Sequence, residues 1–84
     1  LYLESKREYI SIVTDSKSYL TKFQLSEIEN HLDKTGFIRV HRSFIVSKSK
    51  INAFTATDIE IRGMMIPIGR SYKELVISIL GESI

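Results

Sequence analysis

The spacing of apolar residues changes several times along the chain, and each change predicts a new element. Most stretches are rich in β-branched and aromatic residues, which favours strands. Residues 25–33 and 72–80 instead place their apolar residues three and four apart, which predicts two short amphipathic helices. The pattern as a whole predicts a mostly β, α+β fold with about six strands and two short helices.

The first half of the chain is predicted to contain a strand already in progress at Leu1, a hairpin and the first helix. Residues 9–14 and 19–23 are predicted strands on either side of a polar turn. Residues 37–40 form a strand that turns Ile38 and Val40 to one face, and we expect Arg39 to point to solvent. The apolar run 44–46 is compatible with a strand or a helical turn.

The second half predicts three further strands, at residues 51–55, 58–62 and 64–68, before the closing helix. Pro67 lacks an amide donor, so the last of these strands is expected at a sheet edge. Alternation and helical spacing together predict a core composed of Ile38, Val40, Phe44, Ile45, Ile51, Ile59, Ile61, Ile66 and Ile68, with Leu25, Ile28 and Leu32 packing the helix onto it.

Composition excludes several classes of protein. The chain has 84 residues, 43% hydrophobic and 26% charged, which is typical of one small folded domain. The absence of cysteine excludes disulfide scaffolds and thiolate metal sites and is compatible with the cytosol. No apolar run approaches the roughly 20 residues that span a bilayer. We predict no metal site and no cofactor.

Charge is unevenly distributed along the chain. Residues 34–73 carry eight basic and two acidic side chains, whereas residues 1–33 and 74–84 are each net acidic. Such asymmetry indicates a face for an anionic partner.

No arrangement of residues indicates an enzyme. His41 and Ser43 lie close together but have no obvious orienting acid, and the carboxylates Glu27, Glu29 and Asp33 are expected to be solvated. We therefore predict a binding domain without catalytic residues.

Side chains suited to DNA occur in three polar segments, at residues 6–9, 39–43 and 70–73. Arginine pairs with the major-groove edge of guanine, while serine, tyrosine and lysine commonly hold phosphates. Arg42 and Arg70 lie beside element breaks, from which loops can project them, and Lys48 and Lys50 could touch phosphate or be solvated. The predicted DNA-binding residues are Lys6, Arg7, Tyr9, His41, Arg42, Ser43, Arg70, Tyr72 and Lys73.

Residues 37–46, which read FIRVHRSFIV, resemble the signature of the LytTR family of bacterial DNA-binding domains. The segment IPIGRSY at residues 66–72 is similar to the closing motif of that family, and the resemblance covers nearly the whole chain. Ser47 departs from the usual asparagine, and Gly69 from the commoner serine or valine. By this resemblance, the family's first strand or two would lie upstream of Tyr2, and residues 1–84 would form the rest of the domain.

The resemblance implies an elongated β sandwich that inserts loops into successive major grooves. Contacts carried over by position are the loop at residues 6–10, His41 with Arg42, and Arg70. We therefore expect Arg42 and Arg70 to lie on one face with exposed guanidinium groups. Ile10 cannot hydrogen-bond a base edge, so we expect Lys6, Arg7 or Tyr9 to make the contact in the first loop. The resemblance also implies an upstream receiver or other sensory domain, binding to promoter direct repeats as a homodimer, and a role in two-component signalling in the bacterial cytoplasm.

Two other classes stay open at this stage. One is a basic β module that binds an acidic protein partner, and the other is an RNA binder. An RNA module would stack bases on aromatic side chains of one sheet face. The eight aromatic residues are scattered over separate elements and are mostly expected in the core, which disfavours that alternative.

Overall fold

Eight strands form two antiparallel sheets in the computed structural model, which describes residues 1–6, 9–33 and 35–82. The larger sheet has five strands in the order β3-β2-β1-β5-β4, and the smaller has three in the order β6-β7-β8. The five strands are β1 (Tyr2–Lys6), β2 (Tyr9–Val13), β3 (Ser18–Thr21), β4 (Phe37–His41) and β5 (Phe44–Ser47). The other three are β6 (Ala53–Phe54), β7 (Asp58–Ile61) and β8 (Met64–Pro67).

Two helices complete the fold. The short helix α1 (Leu25–Glu29) follows β3, and α2 (Lys73–Glu82) closes the chain. Two 3₁₀ turns, Lys48–Lys50 and Arg70–Tyr72, join the sheets to each other and to α2. No helix within the described ranges is long and apolar enough to cross a membrane.

The five-stranded sheet carries one apolar core on each face. Strand alternation sends Leu3, Ile10 and Ile45 to the face covered by α1, where they pack with Leu25. The opposite face packs against the three-stranded sheet and α2. This larger core consists of Tyr2, Ile38, Val40, Val46, Ile59, Ile61, Ile66, Val76 and Leu80.

The predicted mostly β fold is confirmed, and so is the position of Pro67 in an edge strand. Residues 44–46, which the pattern could not assign, lie in a central strand beside β1. Seven predicted core residues are buried, whereas Phe44, Ile51, Ile68, Ile28 and Leu32 are only partly buried and pack against the cores.

Several predicted boundaries are wrong. The first helix ends at Glu29 rather than at residue 33, because the amides of His31 and Leu32 bond to carbonyls three residues back and tighten the last turn. The strand predicted at residues 19–23 stops at Thr21, which leaves Phe23 58% exposed. The strand predicted at residues 51–55 shrinks to two residues because a 3₁₀ turn precedes it.

Candidate nucleic-acid interface

The turn between β4 and β5 presents Arg42, and a β-bulge just before the turn sets its geometry. Arg39 pairs with Ile45, but His41 pairs with Phe44, so Val40 is the extra residue in β4. Bulges of this kind re-aim side chains next to functional sites. Here the bulge leaves Val40 fully buried, while Arg42 in the following turn is exposed.

His41 is held in one orientation by its neighbours. Its ring packs edge-on against Phe44 with the ring centroids 5.6 Å apart. The Ser43 amide donates to Nδ1 of His41 at 3.0 Å. Because Nδ1 accepts this bond, the neutral ring carries its proton on Nε2, which makes that atom a hydrogen-bond donor.

The segment that carries Arg70 docks against the same turn. The Gly69 amide donates to the Val40 carbonyl at 2.7 Å, and a Cβ at Gly69 would lie 3.4 Å from Cα of His41. His41, Arg42 and residues 69–72 line one cleft of about 450 Å³. Arg42 and Arg70 are both exposed on this cleft, which confirms the prediction that they share a face.

The hairpin between β1 and β2 lies beside that turn. The Ser5 amide donates to the Ser43 carbonyl at 2.8 Å, and Lys6 pairs with Tyr9 where the two strands end. Ile10 is fully buried, so in the first loop only Lys6 and Tyr9 are placed by the structure as exposed candidates. Arg7, predicted as a DNA-binding residue, lies outside the described residues.

The other predicted residues have different surroundings. Ser43 and Tyr72 are half-buried, whereas Lys73 is exposed at the start of α2. Tyr72 packs against Gly69, since a Cβ at position 69 would lie only 3.0 Å from the Tyr72 ring. Tyr72 thus helps to shape the cleft, whereas Lys73 is not among the residues that line it.

Sequence reasoning missed two basic residues near the site. Lys22 follows β3 and places Nζ 5.6 Å from the centre of the Tyr9 ring, so it adds a cation beside the first loop. The expectation that Arg39 points to solvent is wrong, since its side chain is only 13% exposed. Its Nη1 lies 2.7 Å from Oε1 of Glu29, so Glu29, which was expected to be solvated, is instead ion-paired.

The two ends of the five-stranded sheet differ in how their charges are paired. We call the end that carries Lys6, Arg42 and Arg70 the loop end, and the opposite end, with Arg62, Lys50 and Asp15, the Asp15 end. At the Asp15 end, the Asp15 carboxylate lies 2.8 Å from Arg62 and 3.8 Å from Lys50. At the loop end, no carboxylate of the described residues forms an ion pair with Arg42 or Arg70, so their charge faces outward.

Comparison with known proteins gives consistent matches. The family model of the LytTr DNA-binding domain matches residues 1–81. The sensory transduction protein LytT of Enterococcus faecalis is 37% identical over 79 residues, which is 86% of this chain and 33% of LytT. The CO-responsive transcriptional regulator RcoM of Rhodospirillum rubrum is 32% identical over 78 residues, 84% of this chain and 33% of RcoM.

A solved structure shows the same fold. A LytTr DNA-binding domain from Bacillus cereus superposes with a TM-score of 0.85 and 32% identity, covering 95% of this chain and 79% of that one. The chain spans about a third of the length of the curated relatives it matches.

Proposed function

Because the chain belongs to the LytTR family of DNA-binding domains, we propose that its loop end reads promoter DNA for a bacterial transcriptional response regulator. Arg42 and Arg70 contact base edges in the major groove, with His41 offering its Nε2 donor beside them. The DNA backbone is held, or the surface that meets it is shaped, by Lys6, Tyr9, Ser43, Tyr72 and Lys73. We propose the same role for Arg7 in the first loop.

The observation that carries this proposal is the convergence of two arginines on one cleft. Each guanidinium has a planar set of donors that matches the O6 and N7 acceptors of guanine. Arg42 and Arg70 come from segments 28 residues apart in sequence, yet Gly69 brings them together at the β4–β5 turn. Neither has a carboxylate partner within the described ranges, so their donors face solvent ready for a ligand.

The aromatic residues support DNA over RNA as the ligand. Of the eight aromatic residues, Tyr9, Tyr19 and Phe23 are exposed, and the other five are buried or pack against a core, as expected for most of them. Tyr19 pairs with Ile12 and so shares its face of the sheet, whereas Tyr9 alternates to the other face. Side chains on opposite faces cannot form the single stacking platform of a sheet-based RNA module.

We further propose that a separate domain supplies the input. LytT is named for sensory transduction and RcoM for its response to CO, yet both share the segment that matches this chain. Regulators with different inputs that share one segment support an output role for that segment. In this proposal an upstream receiver or other sensory domain controls the chain in the cytoplasm, and two copies dimerise on promoter direct repeats.

The test is selection of duplexes from a random DNA pool, followed by anisotropy titrations of the selected and scrambled duplexes at several salt concentrations. We expect the selected duplex to bind roughly 10³-fold tighter or better, as specific DNA-binding domains do. Matched single-stranded RNA and a polyglutamate peptide serve as competitors. Equal affinity for selected and scrambled DNA would overturn the proposal, and preferential binding of either competitor would favour that alternative.

A further inference from the structure

We infer that Arg39 is a positioning residue, which sets the geometry of the Arg42 turn without touching DNA itself. The expected effect on DNA binding rests on the proposed function. The positioning of the turn rests only on the contacts that Arg39 makes. Arg39 lies in β4 directly before the bulge, on the face covered by α1.

The guanidinium of Arg39 bonds to the turn at two successive carbonyls. Nε donates to the His41 carbonyl at 2.9 Å, and Nη2 donates to the Arg42 carbonyl at 2.6 Å. Both acceptors belong to the residues proposed to contact DNA. The bonds therefore fix the backbone from which the Arg42 side chain projects.

The same guanidinium is anchored on its other side. Nη1 donates to Oε1 of Glu29 at 2.7 Å, which ties the turn to the end of α1. The guanidinium carbon also lies 5.9 Å from the centre of the Tyr72 ring, within range of a cation–π contact. Arg39 thus links α1, the Arg42 turn and the segment that carries Arg70.

Only an arginine can make this set of contacts. Its donors leave a rigid planar group in several directions, so one side chain reaches a carboxylate and two carbonyls at once. A lysine keeps the charge but concentrates its donors at one point. The low exposure of Arg39 leaves it little surface to offer a phosphate.

The test compares Arg39→Lys with wild type and with Arg62→Lys, the same change at an ion-paired arginine of the Asp15 end. Without DNA, we expect Arg39→Lys to lower the NMR order parameters of the Arg42 and Ser43 amides, while Arg62→Lys leaves them unchanged. With DNA, we expect Arg39→Lys to weaken the selected duplex about tenfold and scrambled DNA less than about twofold, with no change in salt slope, because the charge is retained.

A double-mutant cycle separates positioning from an independent effect. In an Arg42→Ala background, Arg39→Lys should cost less than about twofold, because the side chain it positions is gone. Equal losses in both backgrounds, or amides at Arg42 and Ser43 as ordered as in wild type, would overturn the inference. Should Arg39→Lys not fold, Glu29→Gln removes the charge of the anchor instead and should weaken the selected duplex about threefold.

The amide measurement also keeps this inference distinct from the proposed function. If wild type shows no preference for selected DNA, the proposed function fails, but ordered amides that depend on Arg39 would still support positioning. If wild type discriminates and Arg39→Lys changes neither amides nor affinity, only the positioning role fails.

Discussion

The loop end and the Asp15 end of the five-stranded sheet both carry basic residues, but they use them differently. At the Asp15 end, Arg62 and Lys50 share the Asp15 carboxylate, so part of their charge is offset within the fold. At the loop end, the one arginine with an ion pair is Arg39, among the residues described, and it supports the turn that presents Arg42. The pairing of basic residues, rather than their number, therefore distinguishes the candidate binding surface.

The backbones of the two ends differ in a related way. The turn between β7 and β8 at the Asp15 end holds Arg62 and Gly63 at φ values of 49° and 81°, the left-handed region suited to a tight hairpin. Arg62 is unusual there, and its amide donates to Oδ1 of Asn52 at 2.8 Å, which supports the turn. Arg62 is therefore tied to the fold through both its backbone and its side chain, whereas the Arg42 side chain stands free of the turn that Arg39 holds.

The largest effect is expected from Phe44→Ala, which removes a ring from the loop end. Phe44 packs against His41 and lies 6.3 Å from Tyr2 between ring centres, but it is only partly buried. We expect a loss of about 2–3 kcal/mol in the free energy of unfolding, below the range for a fully buried phenylalanine. Chemical denaturation measures this loss of stability, and the NMR chemical shifts of His41 report the change in packing around its ring. A loss of less than about 0.5 kcal/mol would mean that the ring does not support the loop end.

The next effect tests the comparison directly through one arginine from each end. Arg70→Ala should weaken the selected duplex by about 1–3 kcal/mol and scrambled DNA much less, if Arg70 reads a base. Arg62→Ala removes the same charge from the Asp15 end and should change both duplexes alike and only slightly. Anisotropy titrations at several salt concentrations measure both.

Equal losses on selected and scrambled DNA for Arg70→Ala would reassign it to the DNA backbone. Sequence reading would then rest on Arg42, His41 and the first loop, or on the deformability of the DNA. A larger specific loss for Arg62→Ala than for Arg70→Ala would reverse the assignment of the two ends.

The sequence predicts the layout of the loop end better than its internal support. Arg42 and Arg70 could be placed on one surface because each lies beside an element break and matches a family motif. The role of Arg39 could not be predicted, because strand alternation says only which face a side chain takes. The bulge at Val40 and the end of α1 at Glu29, which together give Arg39 its partners, depend on tertiary packing.

A smaller effect is expected from Asp15→Asn, which makes the Asp15 end resemble the loop end in charge. Arg62 and Lys50 would lose their common partner, at a cost of about 0.2–1 kcal/mol in the free energy of unfolding, because the pairs are exposed. If this end lies away from the DNA, the affinity for the selected duplex should stay within about twofold. An increase in salt slope of about one unit would instead place the Asp15 end on phosphate.

The smallest effect concerns acid stability at the Asp15 end. The Thr35 amide donates to Oδ1 of Asp33 at 3.0 Å and the Thr35 hydroxyl donates to the same atom at 2.8 Å. These bonds favour the ionised carboxylate, the backbone bond most strongly, and hold the pKa of Asp33 below its ordinary value of 3.8. A carboxyl whose pKa is lower in the folded state stabilises the fold above its unfolded pKa, and that contribution disappears as pH falls through the folded pKa.

Stability measured across the acid range should therefore change with the titration of Asp33. The arginines of the loop end should not contribute to this change, because they stay charged throughout. We expect Asp33→Asn to flatten a small part of the stability loss below about pH 4. Thr35→Val removes the hydroxyl donor but keeps the amide, so it should have an intermediate effect.

Neither change should alter the affinity for the selected duplex at neutral pH, because both residues lie at the end of the sheet opposite Arg42. Identical acid profiles for wild type and Asp33→Asn would show that the Thr35 bonds do not contribute to stability. A loss of affinity at neutral pH would instead show that the two ends are energetically coupled.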